Sequence, residues 1–132
     1  MNIAIVGATG NVGRKTLEVL EKKGLPIENL YLLASSRSTG KKISFKGKDY
    51  NVSDLESFDF SKVKIAFFAA GGKISEKFAE KAAKHCLVID NSSFFRMDPN
   101  VPLIVPQVNS DALNNIKKNI IANPNCLSLI HI

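Results

Sequence analysis

The chain has 132 residues, the length of one domain with a single core. Hydrophobic residues make up 45% and charged residues 23%, which excludes a disordered or collagen-like chain, and no apolar run approaches the roughly 20 residues of a membrane-spanning helix. Eighteen Lys and Arg against twelve Asp and Glu give +6, but the basic residues are scattered in ones and twos, which predicts a solvated basic face suited to anionic ligands and no nucleic-acid partner.

Met1 leads straight into the apolar run Ile3 to Val6 with no basic leader, so the first element reads as a strand of a cytoplasmic protein. From Asn11 to Lys23 the apolar positions Val12, Leu17, Val19 and Leu20 fit a helical stripe, and Gly24 suits its end. Leu30 to Ala34 is the next strand. Ile43–Phe45 and Tyr50–Val52 flank Lys46-Gly47-Lys48 and read as a hairpin. Val63 to Ala70 is a buried strand ending at Gly71-Gly72. Ser75 to Lys84 is helical, with Phe78, Ala79, Ala82 and Ala83 on one side, and Leu87 to Ile89 is a further strand. Leu103–Val105 and Asn119–Ala122 read as late short strands, with a helical turn from Asp111 between them. Alternating strands and helices predict an α/β fold, a Rossmann-like, mostly parallel sheet with helices on both faces. Such sheets bind ligands beyond the carboxyl ends of their strands. There lie Gly7 to Gly13, Ser35 to Gly40, Ala69 to Gly72 and Asp90 to Arg96.

Gly7-Ala8-Thr9-Gly10-Asn11-Val12-Gly13 joins the first strand to the first helix. Its G-x-x-G-x-x-G spacing permits a tight turn and close approach of backbone to a pyrophosphate, beside a helix N-terminus that favours anions. The alternative is a strand-to-helix turn that binds nothing. An NAD site places an acid about 20 residues further on, at the ribose hydroxyls. Here the second strand ends Ser35-Ser36-Arg37-Ser38, so Arg37 and Ser38 suit a 2′-phosphate and NADP, against the alternative of a polar surface loop. Arg96 could hold a phosphate or carboxylate bidentately, or form a salt bridge with Asp90 or Asp98. Cys126, after Asn123-Pro124-Asn125, is a candidate nucleophile or an inert buried thiol; Cys86 reads as core or sheet edge. No disulfide is expected, and His85–Cys86 lacks the further ligands of a metal site.

Taken together, Gly7–Gly13, Ala34–Ser38, Phe68–Gly72, Val88–Ser93, Phe95–Asp98, Val105–Asn109 and Asn123–Cys126 resemble the N-terminal domain of the bacterial aspartate-semialdehyde dehydrogenases. The resemblance implies NADP-dependent reduction of L-aspartyl-4-phosphate to aspartate semialdehyde in lysine, methionine and threonine biosynthesis. It implies Cys126 as the nucleophile that forms a thioester, and Arg96 with Asn91 as substrate-binding residues. It implies Gly7, Thr9, Gly10, Asn11, Val12, Gly13, Arg37, Ser38, Ala70 and Gly71 around the cofactor, and a homodimer or homotetramer for the full-length protein. The chain departs from the family pattern at Ala69, Phe94 and Gln107, where the family usually has Ser, Ala and Glu. Residues 1–126 are expected to form the NADP-binding domain. Leu127–Ile132 resembles the translation of an adapter used in DNA library preparation and reads as a non-native tail. The catalytic and dimerisation domain, with the family's base, is then absent, so apolar surface is expected to be left exposed and the fragment itself inactive. Two alternatives are N-acetyl-glutamyl-phosphate reductase, whose nucleophile segment typically has Gly before Cys where Asn125 stands, and a non-catalytic NADP-binding module.

Overall fold

The computed structural model describes residues 1–109, 111 and 118–123. In chain order the elements are β1 (Asn2–Val6), α1 (Asn11–Lys23), β2 (Asn29–Ala34), β3 (Lys42–Phe45), β4 (Lys48–Asp54), β5 (Ile65–Phe68), α2 (Gly72–Ala83), β6 (Leu87–Asp90), α3 (Pro106–Asn109) and β7 (Ile120–Ala122). They build a seven-stranded sheet in the order β3-β4-β2-β1-β5-β6-β7. Every pairing is parallel except β3 with β4. The register aligns the carboxyl ends: Val6 lies opposite Leu33 and Phe68, Phe68 opposite Asp90, and Asp90 opposite Ala122. One rim of the sheet therefore gathers the loops that leave β1, β2, β5, β6 and β7.

Side chains alternate across a strand, so neighbouring residues of β1 report on opposite faces. Ile3 and Ile5 pack with Leu17 and Leu20 of α1, whereas Ala4 and Val6 share a core with Phe78, Ala79 and Ala82 of α2. The two helices thus cover opposite faces, as the sequence predicted. Phe95 and Val101, from the segment after β6, join the α2-side core. Among the described residues the other face is closed over β1, β2, β4 and the Phe45 end of β3. On β5, β6 and β7 the residues pointing to the α1 side, including Phe67, Ile89 and Ile121, are half-buried, while their neighbours Phe68, Val88 and Ile120 are buried.

Local chemistry explains most boundaries. Gly24 ends α1 in the left-handed region at φ 64°, its N–H donating to Glu21 O at 3.3 Å. Lys46 and Gly47, at φ 51° and 75°, form the two-residue connection between β3 and β4, in keeping with the twist of the paired strands. Four expectations need correction. Val12 and Val19 are 45% and 43% exposed; the buried stripe of α1 is Gly13, Leu17 and Leu20, because the flank carrying the valines faces the open part of the sheet. The strand expected from Val63 to Ala70 is confined to Ile65–Phe68, since Phe60–Lys62 form a 3-10 turn before it. Helix α2 begins at Gly72, three residues before the expected Ser75. Among the described residues Leu103–Val105 contributes a single bridge, Leu103 to Ala122, because Asn109 takes up its backbone: Val105 N–H donates to Asn109 Oδ1 and Asn109 Nδ2 donates to Leu103 O, both at 2.7 Å. Asp111 lies in a 3-10 turn, and the rest of the expected helical turn lies outside the described residues.

Candidate functional site

The loop after β1 is built by backbone. Gly7 has φ +87° and its N–H donates to Leu33 O at 2.8 Å; a Cβ there would lie 2.7 Å from Ala69 O. A Cβ on Gly13 would collide with the carbonyl of Gly7, so the first turn of α1 rests directly on the loop. Gly10, by contrast, would place a Cβ 3.5 Å from Gly7 O, an ordinary contact. Gly10 is the N-cap of α1 with no side-chain cap, and among the described residues the N–H groups of Asn11, Val12 and Gly13 have no backbone partner. Unpaired donors and the helix dipole favour an anion at this end.

A crevice of about 340 Å³ opens beside the loop. It brings together Gly7, Thr9 and Gly10 with Ser38 from the loop after β2 and Ala70 from the loop after β5. Gly71 follows at φ +94° as the N-cap of α2. Arg37 is exposed in the 3-10 turn Ser36–Ser38, and among the described residues its side chain makes no hydrogen bond or ion pair. A second hollow of about 560 Å³ lies on the α1 side of the sheet; it gathers Asn11 and Val12 with Phe67, Ile89, Asn91 and Asn123 and is mostly apolar.

The turn after β6 is built by side chains. Asp90 is fully buried, and its carboxylate accepts from Ser75 Oγ at 2.7 Å, Ser92 N at 3.0 Å and Ser92 Oγ at 2.8 Å. Arg96 does not pair with Asp90 or Asp98, the alternative the sequence left open. Its Nη2 donates to Asn91 O at 2.8 Å and its Nε to Asn123 O at 3.0 Å, while Asn123 Nδ2 donates to Asn91 Oδ1 at 2.7 Å. The guanidinium therefore spans the carboxyl ends of β6 and β7. Asp98 instead bonds the Asn100 N–H and then Lys118, which together hold its carboxyl below the ordinary range. Lys118 also reaches Glu80 at 3.6 Å. Sequence reasoning missed the Asp90, Ser75 and Ser92 cluster; the available signal was an acid closing an apolar strand and followed by hydroxyl residues.

Cys126 lies outside the described residues. Cys86 is buried, as expected: its Sγ–H donates to Ala82 O at 3.2 Å and burial pushes its thiol up to about 11. Among the described residues no three His, Cys, Asp or Glu side chains gather as metal ligands, and no helix is long and apolar enough to cross a membrane.

Residues 2–116 match the family described as semialdehyde dehydrogenase, NAD binding domain. The chain is 49% identical over 130 residues to an aspartate-semialdehyde dehydrogenase of Rickettsia bellii, covering 97% of this chain and 38% of that protein. It is 50% identical over 131 residues to the Legionella pneumophila enzyme of the same name, covering 98% and 38%. Among solved structures, aspartate semialdehyde dehydrogenase II of Vibrio cholerae complexed with ASA superposes with a TM-score of 0.92 at 52% identity, covering 96% of this chain and 42% of that one. The Candida albicans enzyme with NADP gives 0.71 at 27% identity, covering 96% and 43%. The chain thus spans 38% of the length of the curated relatives cited.

Proposed function

The chain belongs to the semialdehyde dehydrogenase family through its NAD-binding domain, and from that premise we propose that it is the NADP-binding part of an aspartate-semialdehyde dehydrogenase. The observation that carries the cofactor reading is the end of β2, where Arg37 extends without a partner among the described residues and no acid precedes it in Ser35-Ser36. A guanidinium there suits a 2′-phosphate, whereas an acid would suit the free ribose hydroxyls. Ser38, on the wall of the crevice, adds a hydroxyl; Gly7, Thr9, Gly10, Asn11, Val12, Ala70 and Gly71 flank the path assigned to the pyrophosphate and the nicotinamide half, and Gly13 acts behind it by letting α1 pack on the Gly7 carbonyl. A relative crystallised with NADP supports the same reading.

In the proposed reaction Arg96 directs its remaining N–H donors at the phosphoryl oxygens of aspartyl phosphate, and Asn91 helps orient the substrate beside it. The thiolate of Cys126 adds to the acyl carbon, a C–S bond forms, the C–O bond breaks, and phosphate leaves toward Arg96. NADPH, when bound, supplies the hydride that converts the thioester to the aldehyde and frees the thiolate. The general base and the other substrate contacts belong to the part of the relatives that this chain does not span, and so does assembly into a homodimer or homotetramer. In this reading the protein is cytoplasmic and residues 1–126 are its cofactor domain, with 127–132 a non-native tail.

The test is calorimetric titration of the chain with NADP(H) and NAD(H). NADP(H) is expected to bind more tightly, and Arg37→Ala to weaken it by tenfold or more, about 1.4 kcal/mol or above, while NAD(H) is unchanged. Equal affinity for the two cofactors, or an NADP(H) affinity indifferent to Arg37→Ala, rules out the 2′-phosphate assignment.

A further inference from the structure

Asp90 carries a charge-bearing group into a fully buried place where, among the described residues, no cation pairs with it. Burying a carboxylate is expensive unless every lone-pair direction is used. Here the use is specific. Ser75 Oγ–H and Ser92 N–H converge on Oδ1 at 2.7 and 3.0 Å, and Ser92 Oγ–H reaches Oδ2 at 2.8 Å. Ser92 Oγ in turn accepts the Phe94 N–H at 3.3 Å, so its proton is committed to Asp90. An asparagine could not accept from all three donors, because one edge of its amide is itself a donor.

This carboxylate ties the turn after β6 to the first turn of α2, and the same turn carries the groups that hold Arg96. Asn91 O, one residue beyond Asp90, accepts from Arg96 Nη2 at 2.8 Å, and Arg96 N donates to Ser93 O at 3.3 Å. The other carbonyl on the guanidinium, Asn123 O, belongs to a residue whose own N–H donates to the backbone carbonyl of Asp90 at 2.8 Å. Both acceptors of the guanidinium are therefore anchored at residue 90. We propose that Asp90 is a positioning residue for Arg96: with Ser75 and Ser92 it fixes the carbonyls that aim the guanidinium, without touching the substrate itself. This rests on the reading of Arg96 as the phosphate-binding residue.

The test uses the chain with inorganic phosphate as probe and the Arg96 Nε–H resonance as readout, assigned by its loss in Arg96→Lys. In the unsubstituted chain this proton, donated to Asn123 O, is expected to exchange slowly with solvent and to shift on phosphate addition. Ser92→Ala and Asp90→Asn are each expected to speed its exchange and weaken phosphate by about tenfold, the factor carried by about 1.4 kcal/mol. Ser92→Thr, which keeps the hydroxyl, restores both. Amide exchange in β1 and β2 serves as the control for global opening. Should Asp90→Asn fail to fold, the Ser92 pair decides alone. An Arg96 Nε–H equally protected in Ser92→Ala, or a Ser92→Thr chain that behaves like Ser92→Ala, overturns the positioning role. An Nε–H that is ordered and Ser92-dependent but indifferent to phosphate leaves that role standing and overturns the phosphate-binding reading of Arg96.

Discussion

The glycine loop and the turn after β6 sit on the same rim of the sheet, yet they are held by opposite means. Gly7 to Gly13 is shaped by the absence of side chains: two Cβ positions are filled by backbone, and the helix opens without a side-chain cap. Asp90 to Arg96 is shaped by side chains, with a carboxylate, two hydroxyls, two amides and a guanidinium bonded to one another or to nearby backbone. The difference follows from what each must present. A loop that offers its own N–H groups to an anion has to leave them unspent, whereas a loop that aims one charged side chain must spend its donors on holding that side chain still.

The sharpest way to break the comparison is Gly13→Ala. In an ordinary helix this change stabilises by up to about 1 kcal/mol, but here the Cβ meets the Gly7 carbonyl and the sign reverses. A loss of about 3 kcal/mol or more in urea denaturation is expected, with cofactor binding abolished. Gly10→Ala, whose Cβ finds an ordinary contact at 3.5 Å, is expected to stay within about 1 kcal/mol of the parent. Equal effects at the two glycines would show that the loop is not held by close backbone packing. In the other region, Ser75→Ala removes a buried hydroxyl from Asp90 and should cost about 1 to 2 kcal/mol in the same assay. No loss would mean that Ser92 alone holds the carboxylate.

A milder perturbation touches neither loop. Cys86 lies at the amino-end rim, just before β6, and burial raises its thiol from the ordinary 9.0 to about 11. The folded chain keeps this proton longer than the unfolded chain, so the thiol's contribution is complete below the unfolded value and is lost as pH rises through the interval up to about 11. The denaturation midpoint should fall more steeply with pH over that interval in the parent than in Cys86→Ala. Equal slopes would remove Cys86 as the cause.

The glycine loop was legible because its chemistry is local: spacing, a preceding apolar strand and a following helix suffice to define it. The hairpin at Lys46-Gly47 and the stop at Gly24 were legible for the same reason. Val12 and Val19 misled because periodicity shows which residues share a helix face but not whether anything covers it. Pro106 opens α3, a short helix that a proline at a first helical position could have signalled. The partners of Arg96 were not legible. Asp90 and Asp98 are near it in sequence, but the bonds go to carbonyls, one of them on Asn123, 27 residues away.

The open part of the sheet has a thermodynamic meaning. Phe67, Ile89 and Ile121 keep part of their surface hydrated in the folded chain, so unfolding exposes correspondingly less new apolar area there. Apolar exposure raises the heat capacity of unfolding by about 0.45 cal/K/mol per Å², and the urea dependence of stability scales with the same exposed surface. A sheet closed on one side and half-closed on the other therefore gives a flatter stability curve and a shallower response to denaturant than a domain of equal length with both faces sealed. The imbalance between its two faces is written into the temperature dependence of its folding.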